Sequence, residues 1–191
     1  VGQALGAKAI LVAGNDPDEA RLTANYAAFC EAAAPYGLTA DLEFMPWTDV
    51  PDLAKAIRVV GAAARPNGGI LVDALHFDRS GSRVEDLAKI PRAWLHYVQL
   101  CDGPAEKPAT TEGLIHAARA ERLFPGDGGI DLVGMMRPLP RDLPVSLEIP
   151  METLSRAMGP EERVRRALDK AKAVLAKRDA TGEPLAQRRA S

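Results

Sequence analysis

Five short runs rich in aliphatic and β-branched residues punctuate the chain, at AILVA (9–13), ADLEF (40–44), GILVDA (69–74), LHYVQL (95–100) and PVSLEI (144–149), and helical patterns separate them. This alternation restricts the fold more than any other feature. Strand, helix, strand in repeated succession predicts parallel strands joined by right-handed crossovers, an α/β architecture. The run at 69–74 follows the turn RPNGG (65–69) and is nearly continuous Ile-Leu-Val, the pattern of a strand covered on both faces. Periodicity does not choose between an open doubly wound sheet and a closed barrel. The segment PGDGGID (125–131) is rich in glycine but stands in the wrong place for a nucleotide-binding loop and reads as a turn.

The first helix opens at NDPDEA, with Asn15 or Asp16 as its cap, Pro17 in its first turn, Leu22, Tyr26, Phe29 and Ala33 as its buried side and Gly37 as its terminator. A second, over 50–64, buries Leu53, Ile57 and Val60. SRVE (82–85) has the capping-box pattern of a short third helix ahead of Leu87 and Ile90. A fourth is predicted near 111–121, and IDLVGMM (130–136) supplies a turn or two. The stretch 159–178 is an amphipathic helix with an acidic start and a basic end, and residues 179–191 read as a flexible tail.

At 191 residues the chain is long enough for one sizeable core. A net charge of -2 leaves no basic footprint for nucleic acid or an anionic membrane. There is no long apolar span and no signal peptide, and a chain beginning at Val1 is expected to lack its natural start. The two cysteines, Cys30 and Cys101, form no framework and have no metal-ligand spacing, which fits a reducing, cytoplasmic setting.

Polar residues stand at four strand ends: Glu43, Asp73, Gln99 and Glu148. The side-chain period of two puts each on the face opposite its apolar neighbour, so all four can point to one side, which in a closed barrel is the interior mouth. Taken alone, Asp73 is as well explained by a helix cap or an ion pair. Together, three carboxylates without a counter-charge repel one another, and the nearby cations Arg79 and Lys107 are expected on loops. A divalent cation resolves the conflict, and oxygen ligands suit Mg²⁺, Mn²⁺ or Co²⁺. Unrelated caps and ion pairs are the plainer alternative. His96, at the opposite end of its strand, and His116, on a helix, read as structural.

With these residues in view, the sequence resembles the sugar phosphate isomerase/epimerase family, the xylose isomerase-like TIM barrels. The resemblance rests on LEFMPW (42–47), VDALHFDRSG (72–81), VQLCDGP (98–104), ERLFPGDGGIDL (121–132) and SLEIP (146–150). It implies an incomplete (β/α)8 barrel, with about five of eight β/α units over residues 1–178 and three units missing before Val1. Such a piece would expose barrel edges and an open core.

The resemblance also implies that Glu43, Asp73, Gln99 and Glu148 hold one divalent metal, that Glu43 and Glu148 act as base and acid, and that His76 meets the substrate. The implied reaction is isomerisation or epimerisation of a small sugar, sugar phosphate or keto-sugar through a metal-stabilised enediolate, in a monomer or homo-oligomer. Gln99 stands where many epimerases carry His, a choice shared with dehydratases of the 3-dehydroshikimate and inosose type, so a lyase is the alternative reading. An endonuclease IV-like DNA repair enzyme and a non-catalytic binding module fit less well. Trp47 either walls the pocket or packs, and Arg79 and Arg122 either hold a substrate anion or are ion-paired loop residues.

Overall fold

The computed structural model describes residues 1–180. Its elements are β1 (Ala9–Ala13), α1 (Glu19–Ala33), β2 (Thr39–Glu43), α2 (Leu53–Ala63), β3 (Gly68–Asp73), α3 (Ala74–Arg79), α4 (Val84–Leu87), β4 (Val98–Leu100), α5 (Thr111–Ala120), α6 (Leu132–Met136), β5 (Val145–Leu147), α7 (Glu152–Ala157) and α8 (Pro160–Ala180). The strands form one parallel sheet in the order β1-β2-β3-β4-β5, so every strand pairs with its sequence neighbour. Sequential parallel pairing with a helical crossover after each strand is the winding of a (β/α) barrel, and the sheet is an incomplete one. Before β1, only a single 3-10 turn forms at Gln3–Leu5.

The register decides which side chains share a face. Ala13 pairs with Glu43, Glu43 with Leu71, Asp73 with Gln99, and Gln99 with Ser146. Parallel partners point the same way, so Glu43, Asp73 and Gln99, with Glu148 two residues after Ser146, all belong to the inner face. The outer face, Leu42, Ile70, Val72, Val98 and Leu100, packs under the helices against Leu53, Val59, Val60 and Leu87. Tyr26 ties α1 to this layer by donating to the Ala40 carbonyl at 2.7 Å and accepting from the Gly69 amide at 3.0 Å. Leu11, on the inner face of β1, is 40% exposed, because β1 has no partner on its other side among the described residues.

Several local expectations shift. Helix α1 starts at Glu19, capped by Asp18, whose carboxylate accepts from the Ala20 and Arg21 amides. Asp16 instead binds the Arg21 guanidinium, so neither Asn15 nor Asp16 is the cap and Pro17 stands outside the helix. The buried side of α1 is Leu22, Tyr26, Cys30 and Ala33; Phe29, one residue around the helix, is 42% exposed. Ser82 does not cap α4; its hydroxyl accepts from the Leu53 amide and joins the start of α2 to the loop between α3 and α4, while Arg83 stands at the cap position with no side-chain cap bond. Helix α3, unforeseen, begins immediately after β3 because Asp73 caps it, accepting from the His76 amide at 3.0 Å.

The strand expected from Leu95 is confined to Val98–Leu100, since Leu95 ends a 3-10 turn and its carbonyl is taken by Arg92. Strand β5 is also shorter than PVSLEI and leaves Glu148 one residue past its end. Pro144 and Pro150, which lack amide donors, bracket it. Of the expected tail 179–191, Asp179 and Ala180 continue α8, and the remainder lies outside the described residues. Among the described residues no helix is long and apolar enough to cross a membrane.

Candidate metal centre

Glu43 is the last residue of β2, Asp73 the last of β3, Gln99 the middle of β4, and Glu148 follows β5. Their common face and their position at the strand ends bring Glu43, Asp73 and Glu148 together: one carboxylate oxygen from each lies within 4.8 Å of the others. Gln99 stands beside Asp73 in the register. His76, on the first turn of α3, places Nε2 3.8 Å from Glu43 Oε1 and 3.9 Å from Asp73 Oδ1. Trp47, in the loop after β2, meets the His76 ring edge-on with centroids 5.1 Å apart.

Counter to the expectation of uncompensated carboxylates, a cation is already in place. Arg122, buried in the segment after α5, sends Nη1 to Asp73 Oδ2 at 2.6 Å and Nη2 to Glu148 Oε2 at 3.3 Å. Its Nε donates to the Ala118 carbonyl at 2.8 Å, which fixes the plane of the fork. Burial alone would lower the Arg122 pKa, but the carboxylates of Asp73 and Glu148 outweigh it and hold the group charged. Asp73 is therefore both a helix cap and an ion-pair partner. Either of its oxygens still has a lone pair for another ligand.

Arg79 is elsewhere. It lies on α3, not on a loop, and its fork is committed to Asp78 Oδ2 and the Pro104 carbonyl, each at 2.6 Å, with Lys107 reaching the same Asp78 region. It ties α3 to the loop after β4 and does not face the carboxylates. Cys101 is fully buried, its thiol pushed up by that burial, and it accepts from Arg122 at 3.3 Å. His96 places Nδ1 2.5 Å from Oδ1 of the fully buried Asp41, a pairing that strand patterning did not announce. His116 is exposed on α5.

Burial and the neighbouring Asp73 and Glu148 push the Glu43 carboxyl up to about 8. Glu148, half-buried, is also raised by burial, though Arg122 opposes the shift. Burial depresses His76 to about 4, so its ring is neutral at ordinary pH. The donor set fits a divalent cation: hard oxygens converge, and both Glu43 Oε1 and Gln99 Oε1 are buried with no hydrogen-bond partner. A cation would supply the partner that those two atoms lack.

A parallel sheet wound strand by strand, with acidic and amide side chains gathered at the carboxyl ends of its strands, defines a barrel of the (β/α) class with its site at the usual mouth. The sequence matches the Xylose isomerase-like TIM barrel family over residues 1–174, and the chain belongs to that family. It is 32% identical over 108 residues to the inosose isomerase of Halalkalibacterium halodurans, covering 56% of this chain and 36% of that one. It is 28% identical over 156 residues to the 3-dehydroshikimate dehydratase of Pseudomonas aeruginosa, covering 77% of this chain and 24% of that one. The matches thus span about a third or less of these relatives' lengths. Among solved structures, the IolI protein with a bound zinc atom superposes with a TM-score of 0.77 at 22% identity, over 92% of this chain and 66% of that one.

Proposed function

We propose that this chain carries the catalytic centre of a divalent-metal-dependent isomerase or epimerase acting on a small sugar-like ketone. The observation behind this is the convergence of Glu43, Asp73 and Glu148, with a buried Glu43 oxygen that has no partner, beside Gln99, whose buried Oε1 also has none. In this reading those four residues hold one Mn²⁺, Mg²⁺ or Co²⁺ ion. Bound there, the ion supplies Lewis-acid charge to the oxygen on which negative charge develops when a proton leaves the neighbouring carbon.

The chain's own groups do the rest. Glu43 and Glu148, from strands on either side of Asp73, are placed to take a proton from one position and return it at another. His76, neutral, donates to or accepts from a substrate oxygen, and Trp47 holds its ring on edge. Arg122 presents its charge beside the same oxygens. Arg79, whose fork is held by Asp78 and the Pro104 carbonyl, is assigned in this reading to holding the loop after β4. The resemblance to an inosose isomerase supports a polyhydroxylated ketone as substrate.

A dehydratase is the second reading. The dehydratase relative aligns with more of this chain than the isomerase does, and the same proton abstraction followed by loss of a β-hydroxyl gives a conjugated product. Incubation with keto-inositol and 3-dehydroshikimate in D₂O separates them: deuterium incorporation without new ultraviolet absorbance marks the isomerase, and a conjugated chromophore marks the lyase. Calorimetric Mn²⁺ titration accompanies it. Asp73→Asn is expected to weaken Mn²⁺ binding at least tenfold, whereas His76→Ala leaves binding within about threefold and lowers kcat/KM. Loss of nothing but thermal stability in both variants would overturn the metal reading.

A further inference from the structure

The geometry points to Asp102 as the positioning residue that aims Arg122 at the carboxylate cluster, an inference that rests on the reading of that cluster as the working site. Asp102 follows β4 by two residues and is 1% exposed, yet no cation pairs with it among the described residues. Its charge is met by backbone instead. Oδ1 accepts from the amides of Gly103 at 2.8 Å and Ile130 at 3.1 Å, and Oδ2 from those of Gly126 at 2.9 Å and Gly128 at 3.1 Å. Four amide donors on one buried carboxylate gather the whole glycine-rich turn after Phe124 around a single side chain.

The clamp closes on Arg122 from both sides. Asp102 and Leu123 exchange backbone hydrogen bonds, each 2.9 Å, and the Arg122 amide donates to Pro150, two residues after Glu148. Arg122 is thereby stitched between the exits of β4 and β5, at the height of the strand ends. Gly128 is part of the device: a Cβ there would overlap both the Gly103 carbonyl and the Asp102 carboxylate. The glycines that read as an ordinary turn are what allow four amides to reach one carboxylate.

Arg122 makes its contacts to Asp73 and Glu148 through a fork whose Nε is itself bonded, so a small shift of the 121–123 segment breaks both ion pairs at once. Asp102 touches none of the cluster and acts only through this segment. Asp102→Asn keeps the shape but turns an amide group toward two of the four donors. Gly128→Ala strains the same clamp from the other side without altering Asp102.

The test uses the intact protein and the Nε–H signal of Arg122 in ¹⁵N-resolved NMR, assigned by its absence in Arg122→Met. Both Asp102→Asn and Gly128→Ala are expected to speed exchange of that proton at least tenfold while the β3 amides stay protected. A double-variant cycle adds a second readout: Asp102→Asn should change Mn²⁺ affinity at least threefold in the same direction as Arg122→Met and by no further amount when Arg122 is already gone. Unchanged Nε–H exchange in both clamp variants, or additive effects on Mn²⁺ affinity, overturns the assignment. A parent protein that does not bind Mn²⁺ refutes the proposed function instead, and the exchange measurement still decides the role of Asp102.

Discussion

Replacing Arg122 with Met should destabilise the metal-free protein and yet tighten its grip on a divalent cation. The guanidinium lies 2.6 Å from a carboxylate whose side chain has no exposure, and its own side chain is 3% exposed. Removing one member of such a pair typically costs about 3–5 kcal/mol, because the other is left charged and dry. Asp73 keeps the His76 amide at 3.0 Å, which argues for the lower end, about 3 kcal/mol. A bound cation meets the same need for positive charge, so the metal-loaded variant should lose less. If the ion recovers half of the loss, a thermodynamic cycle assigns about 1.5 kcal/mol to tighter binding, roughly tenfold in Kd. The assays are Mn²⁺ titration by calorimetry at pH 8 and thermal melts with EDTA or saturating Mn²⁺. The melting temperature should drop about 6–12 °C without metal and visibly less with it. Weaker Mn²⁺ binding by the variant, or an equal loss with and without metal, would refute the idea that Arg122 and the ion serve the same carboxylates.

Glu43 should make metal-free stability depend on pH. Its folded value, about 8, lies above its ordinary 4.5, so the native state holds the proton more tightly than the unfolded chain. Stability is full below pH 4.5 and falls as pH rises through 8, on the order of a few kcal/mol, and urea unfolding in EDTA at pH 6 and 9 should show this slope in the parent and its flattening in Glu43→Gln. Mn²⁺ must displace that proton, so affinity should rise across the same window, with proton release read from buffers of different ionisation enthalpy. Gly69→Ala should cost about 2–4 kcal/mol in urea unfolding, since a Cβ there would overlap Asp41 Oδ1 and lie 2.5 Å from His96 Nδ1; an unchanged midpoint would show that the pair carries no weight. Ala64, which ends α2 with φ of 50°, is the one non-glycine residue with positive φ among the described residues, and Ala64→Gly should stabilise by about 0.5–1 kcal/mol in the same assay.

What could be read from the sequence was what depends on near neighbours. A strand's side chains alternate with a period of two, so the placement of Glu43, Asp73, Gln99 and Glu148 on the face opposite Leu42, Val72, Val98 and Leu147 was legible before any fold was known. The parallel α/β class followed from strands and helices that take turns along the chain; the choice of a barrel came from the resemblance, and family membership over residues 1–174 agrees with it. Boundaries were less legible. Asn15, Asp16 and Asp18 compete for one cap, and only the docked position of α1 chose Asp18. Phe29 and Cys30 are adjacent and both apolar, and the angle at which the helix meets the sheet decided which is buried.

The pairings that span the chain belonged to the tertiary structure alone. Arg122 stands 49 residues from Asp73, and His96 stands 55 from Asp41; no periodicity links positions so far apart. Arg122 looked like a loop residue because its segment is one, and it became the counter-charge of the cluster only when backbone bonds to Asp102 and Pro150 carried that loop across the strand ends. The same holds for PGDGGID, whose composition announces a turn but not the carboxylate it wraps. Local chemistry determined which residues this chain offers to its inner face, and the curvature and register of the sheet decided which of them meet, because a buried charge is satisfied by whatever partner the packed chain delivers within reach of it.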